Sequence, residues 1–417
     1  MKAEIIAAGS EMLTPFRQDT NSLFLTAQLN RLGIRVMRKV IVGDDREELR
    51  DAFRESLGRA DVVISIGGLG PTEDDLTREV AAELLGRKLK RSDAILHGIE
   101  ERFRRFGRTM PEINARQAMV PDGAEPLQNP RGTAPGLWLE SEGRIVILLP
   151  GPPQELEPMF QNEVFRRLEK HAPKLRLHTR DLRIAGMPES EVDHRVAPIY
   201  KQYPQAETTI LAAAGEIQLH PRIWSEDHEA AERLLNEMVE RIHLALGDAV
   251  FSTHGESLED VVGKILIENR ATLAVAESCT GGMVSMRLTN IPGSSSYFCG
   301  GAVVYSNELK SLWADVPPEV IEKHGAVSAE AALALADGVR RRTGATLGLG
   351  ITGVAGPGGG SAEKPVGLVH SAIADESGGK QKAFRFPGDR DHIRVQASQA
   401  ALDMVRRYYV YAARGVA

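Results

Sequence analysis

The sequence predicts an α/β protein with more than one domain, and three observations lead to this prediction. The chain has 417 residues, which at roughly 150 residues per domain corresponds to about three domains. Short, nearly unbroken apolar strands alternate with helical patterns towards both ends of the chain, as they do in parallel sheets covered on both faces. The stretch 175–250 instead has strands joined by a tight turn at Gly215, which is typical of a small α+β region. We therefore predict two α/β sheet domains joined by a small α+β domain.

The strands and helices of the first region are indicated by their apolar runs and stop signals. The predicted strands cover 3–8, 34–42, 61–66 and 144–149. The predicted helices cover 21–32, 46–57, 79–85 and 155–169, and Gly33 ends the first of them.

The middle and last regions are interpreted in the same way. In the middle region we predict strands over 182–185, 209–213 and 217–224, and helices over 189–200 and 227–246. In the last region we predict strands over 272–276, 301–305, 346–351, 366–374 and 382–386, and helices over 257–269, 329–342 and 390–411. The helix that starts near Ser257 has the Ser-x-x-Asp pattern of a cap.

Composition excludes several classes of protein. The chain is 42% apolar and 26% charged, which is ordinary for a soluble globular protein. A net charge of -6 gives no support to a nucleic-acid binder. Cys279 and Cys299 are too few for a disulfide framework. Since the apolar runs are far shorter than the roughly 20 residues of a membrane span, we expect a cytoplasmic protein with no membrane partner.

A first glycine-rich turn follows the predicted strand 61–66. Its glycines can bring backbone amides close to a bound anion, and the acids after them could hold a divalent cation. Three glycines followed by three acids favour a ligand site over the alternative, which is an acid-rich helix cap. Glu11, Asp19, Asn21 and Asp44 follow other strand ends and could converge on this turn. The turn itself supplies Gly67, Gly68, Gly70, Thr72, Glu73, Asp74, Asp75 and Thr77.

A second turn of this kind follows the predicted strand 272–276. Ser278 is expected at a strand-to-helix turn, where the backbone amides after it would face an oxyanion or a phosphate. Two alternatives stay open, because Ser278 or Thr280 could simply cap the helix and Cys279 could be the nucleophile. A buried cysteine that packs as a small apolar side chain is the commoner case.

Three further features could complete a crevice at the same sheet edge. Tyr305 and Lys310 follow the predicted strand 301–305, and Thr352 lies in the turn after the strand 346–351. Arg390 and Arg394 are four residues apart on one helical face, where they could bind a phosphate. An exposed arginine stripe is the alternative interpretation of that pair.

These motifs resemble the competence/damage-inducible CinA family over nearly the whole chain. In the N-terminal region the matching segments are GSEML at 9–13, DTN at 19–21, VGDD at 42–45, GGLGPTEDDLT at 67–77 and LPGPPQE at 149–155. The resemblance implies a domain with the molybdopterin-binding MogA/MoaB fold over 1–172. It also implies an ADP-ribose pyrophosphatase that needs a divalent metal such as Mg, Mn or Co. The implied metal ligands are Asp74, Asp75, Asp44 and Glu11, and the implied substrate-binding residues are Gly67, Gly68, Thr72 and Thr77.

The C-terminal motifs are AESCTGG at 276–282, YSNELK at 305–310, GITGVAGP at 350–357 and FPGDRDHIR at 386–394. Their resemblance implies a nicotinamide mononucleotide deamidase over 253–417 that needs no cofactor. It makes Ser278 the nucleophile and Lys310 the general base, with Tyr305 and Thr352 assisting. The implied substrate-binding residues are Gly281, Gly282, Gly353, Arg390 and Arg394.

The resemblance further implies a KH-like middle domain over 173–252 and a homodimer. We expect no nucleic acid as a partner, because the middle region lacks the GxxG loop that clamps a nucleic-acid backbone. The expected partners are the small nucleotides nicotinamide mononucleotide and ADP-ribose. Two alternatives stay open, namely an N-terminal domain that binds a pterin cofactor, and an accessory protein of competence or DNA damage that acts through protein contacts.

Overall fold

The computed structural model describes residues 1–414, which form two compact α/β-containing units. The first unit comprises Met1–Leu177 and Trp224–His228, and the second comprises His178–Ile223 and the chain from Glu229 onward. The second unit thus contains both the α+β region and the C-terminal sheet. The mixed α/β fold class is confirmed, while the domain boundaries stay predictions.

A six-stranded sheet in the order β2-β1-β3-β8-β7-β6 forms the centre of the first unit. Neighbouring strands are parallel from β2 to β8 and antiparallel beyond β8. Its strands, with the separate pair β4 and β5, are β1 (Lys2–Ala8), β2 (Arg35–Val42), β3 (Val62–Ile66), β4 (Leu89–Arg91), β5 (Met119–Pro121), β6 (Glu125–Leu127), β7 (Gly136–Ser141) and β8 (Arg144–Leu149).

Helices cover both faces of this sheet, because alternate residues of β1 and β3 are buried in two separate cores. Ile5 and Ile64 belong to one core, and Ile6 and Val63 belong to the other. The helices are α1 (Asn21–Arg31), α2 (Arg46–Arg59), α3 (Thr77–Leu84), α4 (Asp93–Arg105), α5 (Pro153–Met159) and α6 (Phe165–His171). The predicted helix 155–169 is confirmed as continuous helical backbone, in which α5 and α6 are connected by a π-helical turn over Phe160–Val164.

The α+β region has antiparallel strands in the order β11-β12-β10-β13. Gly215, at φ +85°, makes the predicted tight turn between β11 and β12. The elements here are β9 (Arg176–Thr179), β10 (Leu182–Ala185), α7 (Glu189–Tyr200), β11 (Glu207–Ala213), β12 (Glu216–Ser225), α8 (His228–Leu246) and β13 (Val250–Ser252).

The C-terminal sheet has the order β15-β14-β16-β17-β18, and its first three strands are parallel. Its strands are β14 (Leu273–Glu277), β15 (Phe298–Val303), β16 (Leu347–Gly353), β17 (Leu368–Asp375) and β18 (Gly378–Arg385). Its helices are α9 (Leu258–Glu268), α10 (Met283–Thr289), α11 (Asn307–Ala314), α12 (Pro318–His324), α13 (Ala329–Thr343) and α14 (Arg390–Ala413). The prediction of a strand over 301–305 was wrong at its end, because β15 stops at Val303 and Tyr305 lies in the loop before α11.

No helix within residues 1–414 combines the length and the apolar character that crossing a bilayer requires.

Candidate functional sites

The first glycine-rich turn needs glycine at two positions. Gly67 and Gly68 follow β3 with φ angles of +90° and +65°, a conformation that other residues rarely adopt. A Cβ atom on Gly67 would collide with the carbonyl oxygen of Ala8, and one on Gly68 would collide with the hydroxyl of Thr77. The backbone can therefore make this turn only without side chains.

This turn borders a cavity of about 390 Å³ in the first unit, a volume in the range of small-molecule sites. Both glycines line the cavity, and so do the four carboxylates predicted as metal ligands, Glu11, Asp44, Asp74 and Asp75. Glu155 also lines it and was missed as a site residue, although the LPGPPQE motif contains it. The cavity thus brings together acids from four separate segments of the chain.

The two predicted threonines lie apart from the cavity lining. Thr72 is exposed, and Thr77 is fully buried at the start of α3, where it packs under Gly68. Arg116, which the sequence did not single out, donates to the carbonyl oxygen of Thr72 at 2.6 Å and to Glu79 at 3.1 Å. The threonines and Arg116 therefore contribute to the loop without lining the cavity.

The carboxylates differ in the number of hydrogen bonds that they accept from the protein. Asp75 accepts from the amides of Gly70 and Thr72, at 2.8 Å each, and from the Thr72 hydroxyl, so both of its oxygens hold the loop together. Asp44 accepts from the amide of Ser10 at 2.8 Å. The pKa of Asp74 is lowered, chiefly by the neighbouring polar side chain of Thr72, which favours the ionised form of this exposed carboxyl.

Hard carboxylate oxygens suit a divalent cation such as magnesium. Within residues 1–414, however, no three of the cavity carboxylates have oxygen atoms within 4.8 Å of one another. Glu11, Asp44 and Asp74 are the side chains that would have to converge on a cation, because Asp75 is engaged in the loop.

The second turn carries Ser278 directly after β14. Its amide donates to the carbonyl oxygen of Ile351 on the neighbouring strand at 3.0 Å, and its own carbonyl oxygen accepts from Gly281 at 3.2 Å. Gly281 and Gly282 have φ angles of +62° and +90°, and α10 starts immediately after them. Ser278 retains 8% of its exposure, so it is buried but not enclosed.

The amides of the first turn of α10 are not presented to a ligand, which corrects part of the expectation for this turn. Glu277, fully buried, accepts hydrogen bonds from the amides of Val284 at 3.1 Å and Ser285 at 2.9 Å. Only the amides before α10 are left to face an oxyanion. Glu277 was missed as a site residue, although the AESCTGG motif contains it.

Lys310 is the buried amine of this site. The residue is only 2% exposed, and its Nζ donates to the carbonyl oxygen of Tyr305 at 3.1 Å. Burial lowers the pKa of Lys310, and the nearby Cys279 and Glu308 counteract that shift in part. The amine therefore loses its proton at a lower pH than the amine of an exposed lysine does.

Cys279 has the properties of a packed side chain. Burial raises the pKa of its thiol to about 12, and the neighbouring Glu277 carboxylate acts in the same direction. A nucleophilic cysteine needs the opposite environment, one that stabilises the thiolate.

The two predicted arginines contact two different loops of the site. Arg390 donates to the carbonyl oxygen of Gly356 at 2.6 Å and to the hydroxyl of Tyr305 at 3.0 Å. Arg394 donates to the carbonyl oxygen of Thr280 at 3.0 Å. The first turns of α14 are thereby brought to the edge of the serine turn.

Thr352 and Gly353 end the strand next to Ser278. The hydroxyl of Thr352 donates to the carbonyl oxygen of Ala326 at 2.7 Å, and the residue is 1% exposed. A Cβ on Gly353 would lie 2.7 Å from the carbonyl oxygen of Leu368. In this structure both residues are engaged in packing, and the catalytic and binding roles expected of them stay predictions.

Fold and sites together define an α/β protein of two units, one with a carboxylate-lined cavity at a glycine turn and the other with a serine turn. Three family models match the chain: "Probable molybdopterin binding domain" over residues 4–170, "Damage-inducible protein CinA KH domain" over 179–252 and "CinA C-terminal domain" over 255–409. The chain belongs to the CinA family.

Relatives match over almost the full length of the chain. A CinA-like protein of Koribacter versatilis is 52% identical and covers 98% of this chain and 99% of its own. One of Solibacter usitatus is 51% identical, with 98% of each chain covered. A crystal structure described as the protein CinA with unknown function, from Thermoplasma acidophilum, is 35% identical, covers 40% of this chain and 97% of its own, and has a TM-score of 0.38.

Proposed function

We propose that the C-terminal part of this chain deamidates nicotinamide mononucleotide. One observation carries the proposal: Ser278 and the buried amine of Lys310 follow the carboxyl ends of two adjacent parallel strands, β14 and β15. A hydroxyl nucleophile needs a base that is uncharged near neutral pH, and burial lowers the pKa of Lys310 in the required direction.

The reaction has two halves, which are the acylation of Ser278 and the hydrolysis of the acyl-enzyme. Lys310 takes the proton of Ser278 as its oxygen bonds to the carboxamide carbon, and negative charge moves to the carbonyl oxygen. The lysine then returns the proton to the amide nitrogen, the carbon–nitrogen bond breaks, and ammonia leaves an acyl-enzyme. Water, activated by the same amine, attacks the ester, regenerates Ser278 and releases nicotinic acid mononucleotide.

The phosphate of the substrate is assigned to the guanidinium groups of Arg390 and Arg394. Both lie in the first turns of α14 and both contact loops of the serine site. Guanidinium groups bind phosphate with paired hydrogen bonds. The mononucleotide would then extend from Ser278 towards α14.

Ammonia release from nicotinamide mononucleotide tests this proposal in the full chain. We expect Ser278→Ala to lower kcat by at least about a thousandfold, a loss typical of a removed nucleophile. Cys279→Ala is the matched control in the adjacent position and should keep kcat within about fivefold, because its thiol is buried and protonated. Loss of activity in Cys279→Ala with survival in Ser278→Ala would reverse the assignment of the nucleophile.

We further propose that the N-terminal unit hydrolyses the pyrophosphate of ADP-ribose. Support comes from the cavity of about 390 Å³ that joins the glycine turn to the carboxylates. The amides of Gly67 and Gly70 already donate within the fold, so the amides of Gly68 and Leu69 would hold the diphosphate. Glu11, Asp44 and Asp74 would hold a divalent cation. A bound cation supplies charge neutralisation and activation of water at such sites.

Cleavage of ADP-ribose with and without a chelator tests this second activity. We expect the chelator to abolish cleavage, magnesium or manganese to restore it, and the pair Asp74→Ala with Asp75→Ala to remove it. Ammonia release in the same samples is the internal control and should persist in all of them. Cleavage that ignores the chelator or survives the double substitution would refute the site, whereas no cleavage by the parent protein would favour a pterin-cofactor domain.

A further inference from the structure

The carboxylate of Glu277 is buried in the wall of the serine turn. It lies one residue before Ser278, is 0% exposed, and accepts from the amides of Val284 and Ser285 and from the Ser285 hydroxyl at 2.7 Å. A buried carboxylate is stable only if its oxygens are well satisfied by donors. These bonds therefore form one connected unit of strand end, turn and helix start.

Backbone hydrogen bonds also attach the start of the serine turn to the segments on both sides of β14. The carbonyl oxygen of Glu277 accepts from the amide of Val304 at 2.8 Å, and the amide of Ser278 donates to Ile351 at 3.0 Å. The peptide group that precedes the nucleophile is thus hydrogen-bonded to both neighbouring chain segments. Gly281 and Gly282 lie between the serine and α10, and the Glu277 side chain spans that part of the turn by bonding to Val284 and Ser285.

We propose that Glu277 is a positioning residue, which holds the hydroxyl of Ser278 in register with the buried amine by bonding strand β14 to the start of α10. The inference rests on the proposed deamidation. Its contribution would be to geometry, since the carboxylate is fully buried and bonds to the start of α10. Displacing a reacting group by about 1 Å can lower a rate by about a hundredfold.

Glu277→Gln is the principal test. It replaces one of the two carboxylate oxygens by an NH2 group, which donates hydrogen bonds and cannot accept one from an amide of α10. We expect kcat for ammonia release to fall at least about tenfold, while KM stays within about twofold. Glu322→Gln, an exposed position on α12, removes the same charge and should change neither value.

The thiol next to Ser278 gives a second readout that does not depend on the reaction. In a Cys299→Ser background, Cys279 is the remaining cysteine, and it is buried. Iodoacetamide should modify Cys279 at least about tenfold faster in Glu277→Gln than in its parent, because the turn opens and the carboxylate that raises the thiol pKa is gone. Should Glu277→Gln not fold, Ser285→Ala removes one of the same bonds, and we expect the same changes at about threefold.

The two readouts separate the inference from the proposed function. A wild-type kcat together with an unchanged modification rate in Glu277→Gln would overturn the inference, whether or not the melting temperature falls. If the parent protein releases no ammonia, the proposed function fails. The modification rate of Cys279 in Ser285→Ala, which keeps the carboxylate and removes one of its bonds, then decides whether Glu277 orders the turn.

Discussion

Lys310 illustrates how a single residue acquires its chemistry from burial. Its side chain is 2% exposed, and its Nζ donates to the carbonyl oxygen of Tyr305. Desolvation disfavours the charged amine, so the folded protein releases the proton at lower pH than the unfolded chain, whose lysine has a pKa of about 10.5. Folding is therefore penalised by Lys310 at pH values below its folded-state pKa, and the penalty fades as the pH rises towards 10.5.

Two consequences of this shift can be measured on the same samples. We expect kcat for ammonia release to rise with pH as Lys310 loses its proton, with a midpoint below 10.5. Lys310→Met should abolish the release and yet stabilise the fold by about 1 kcal/mol at pH 7, because it removes the penalty and keeps the volume. Calorimetry checks the second part, and a lower melting temperature in Lys310→Met would show that the amine stabilises the fold.

At the scale of elements, helix α14 connects two loops of the serine site. It begins with Asp389 accepting from the amide of His392 at 2.9 Å, a side-chain cap that fixes its first turn. Arg390 and Arg394 follow one turn apart and contact the carbonyl oxygens of Gly356 and Thr280. The start of one helix thus sets the distance between two separate turns.

Arg390→Lys tests this element under the proposed deamidation. A lysine is a point charge and cannot hold the Gly356 carbonyl oxygen, the Tyr305 hydroxyl and a phosphate together as a guanidinium can. We expect KM for nicotinamide mononucleotide to rise about tenfold and kcat to change much less. Arg341→Lys, an exposed position on α13, is the control. An unchanged KM would remove Arg390 from the phosphate site.

The elements that the sequence predicted well are those with strong local patterns. Buried apolar runs gave β1, β3, β8 and β14 within one or two residues, and the capping pattern gave the start of α9, where Ser257 and Asp260 form a capping box. Strands β4, β5 and β6 were missed because three residues are too few to show an alternating pattern. Helix α11, which carries Lys310, has eight residues and was missed for a similar reason. Strand β7, with six residues, and helix α4, with thirteen, were also missed, and their length does not explain this.

At the scale of the whole molecule, each site is built within one unit. The carboxylate cavity uses residues before 156, and the serine site uses residues after 276. The sequence indicated both positions, because glycine turns after buried strands are local signals. The hydrogen-bond partners of individual side chains could not be predicted in this way, whether local or distant in the chain. The engagement of Asp75 in its own loop, the donation by Arg116 and the buried bonds of Glu277 appear only once the chain is folded.

The buried carboxylate at α10 also bears on inhibitor design. An anionic warhead aimed at the amino end of that helix would meet the negative charge of Glu277 and would find the Val284 and Ser285 amides already bonded. A selective compound should instead carry an uncharged electrophile for Ser278 and leave its acidic group to the arginines of α14.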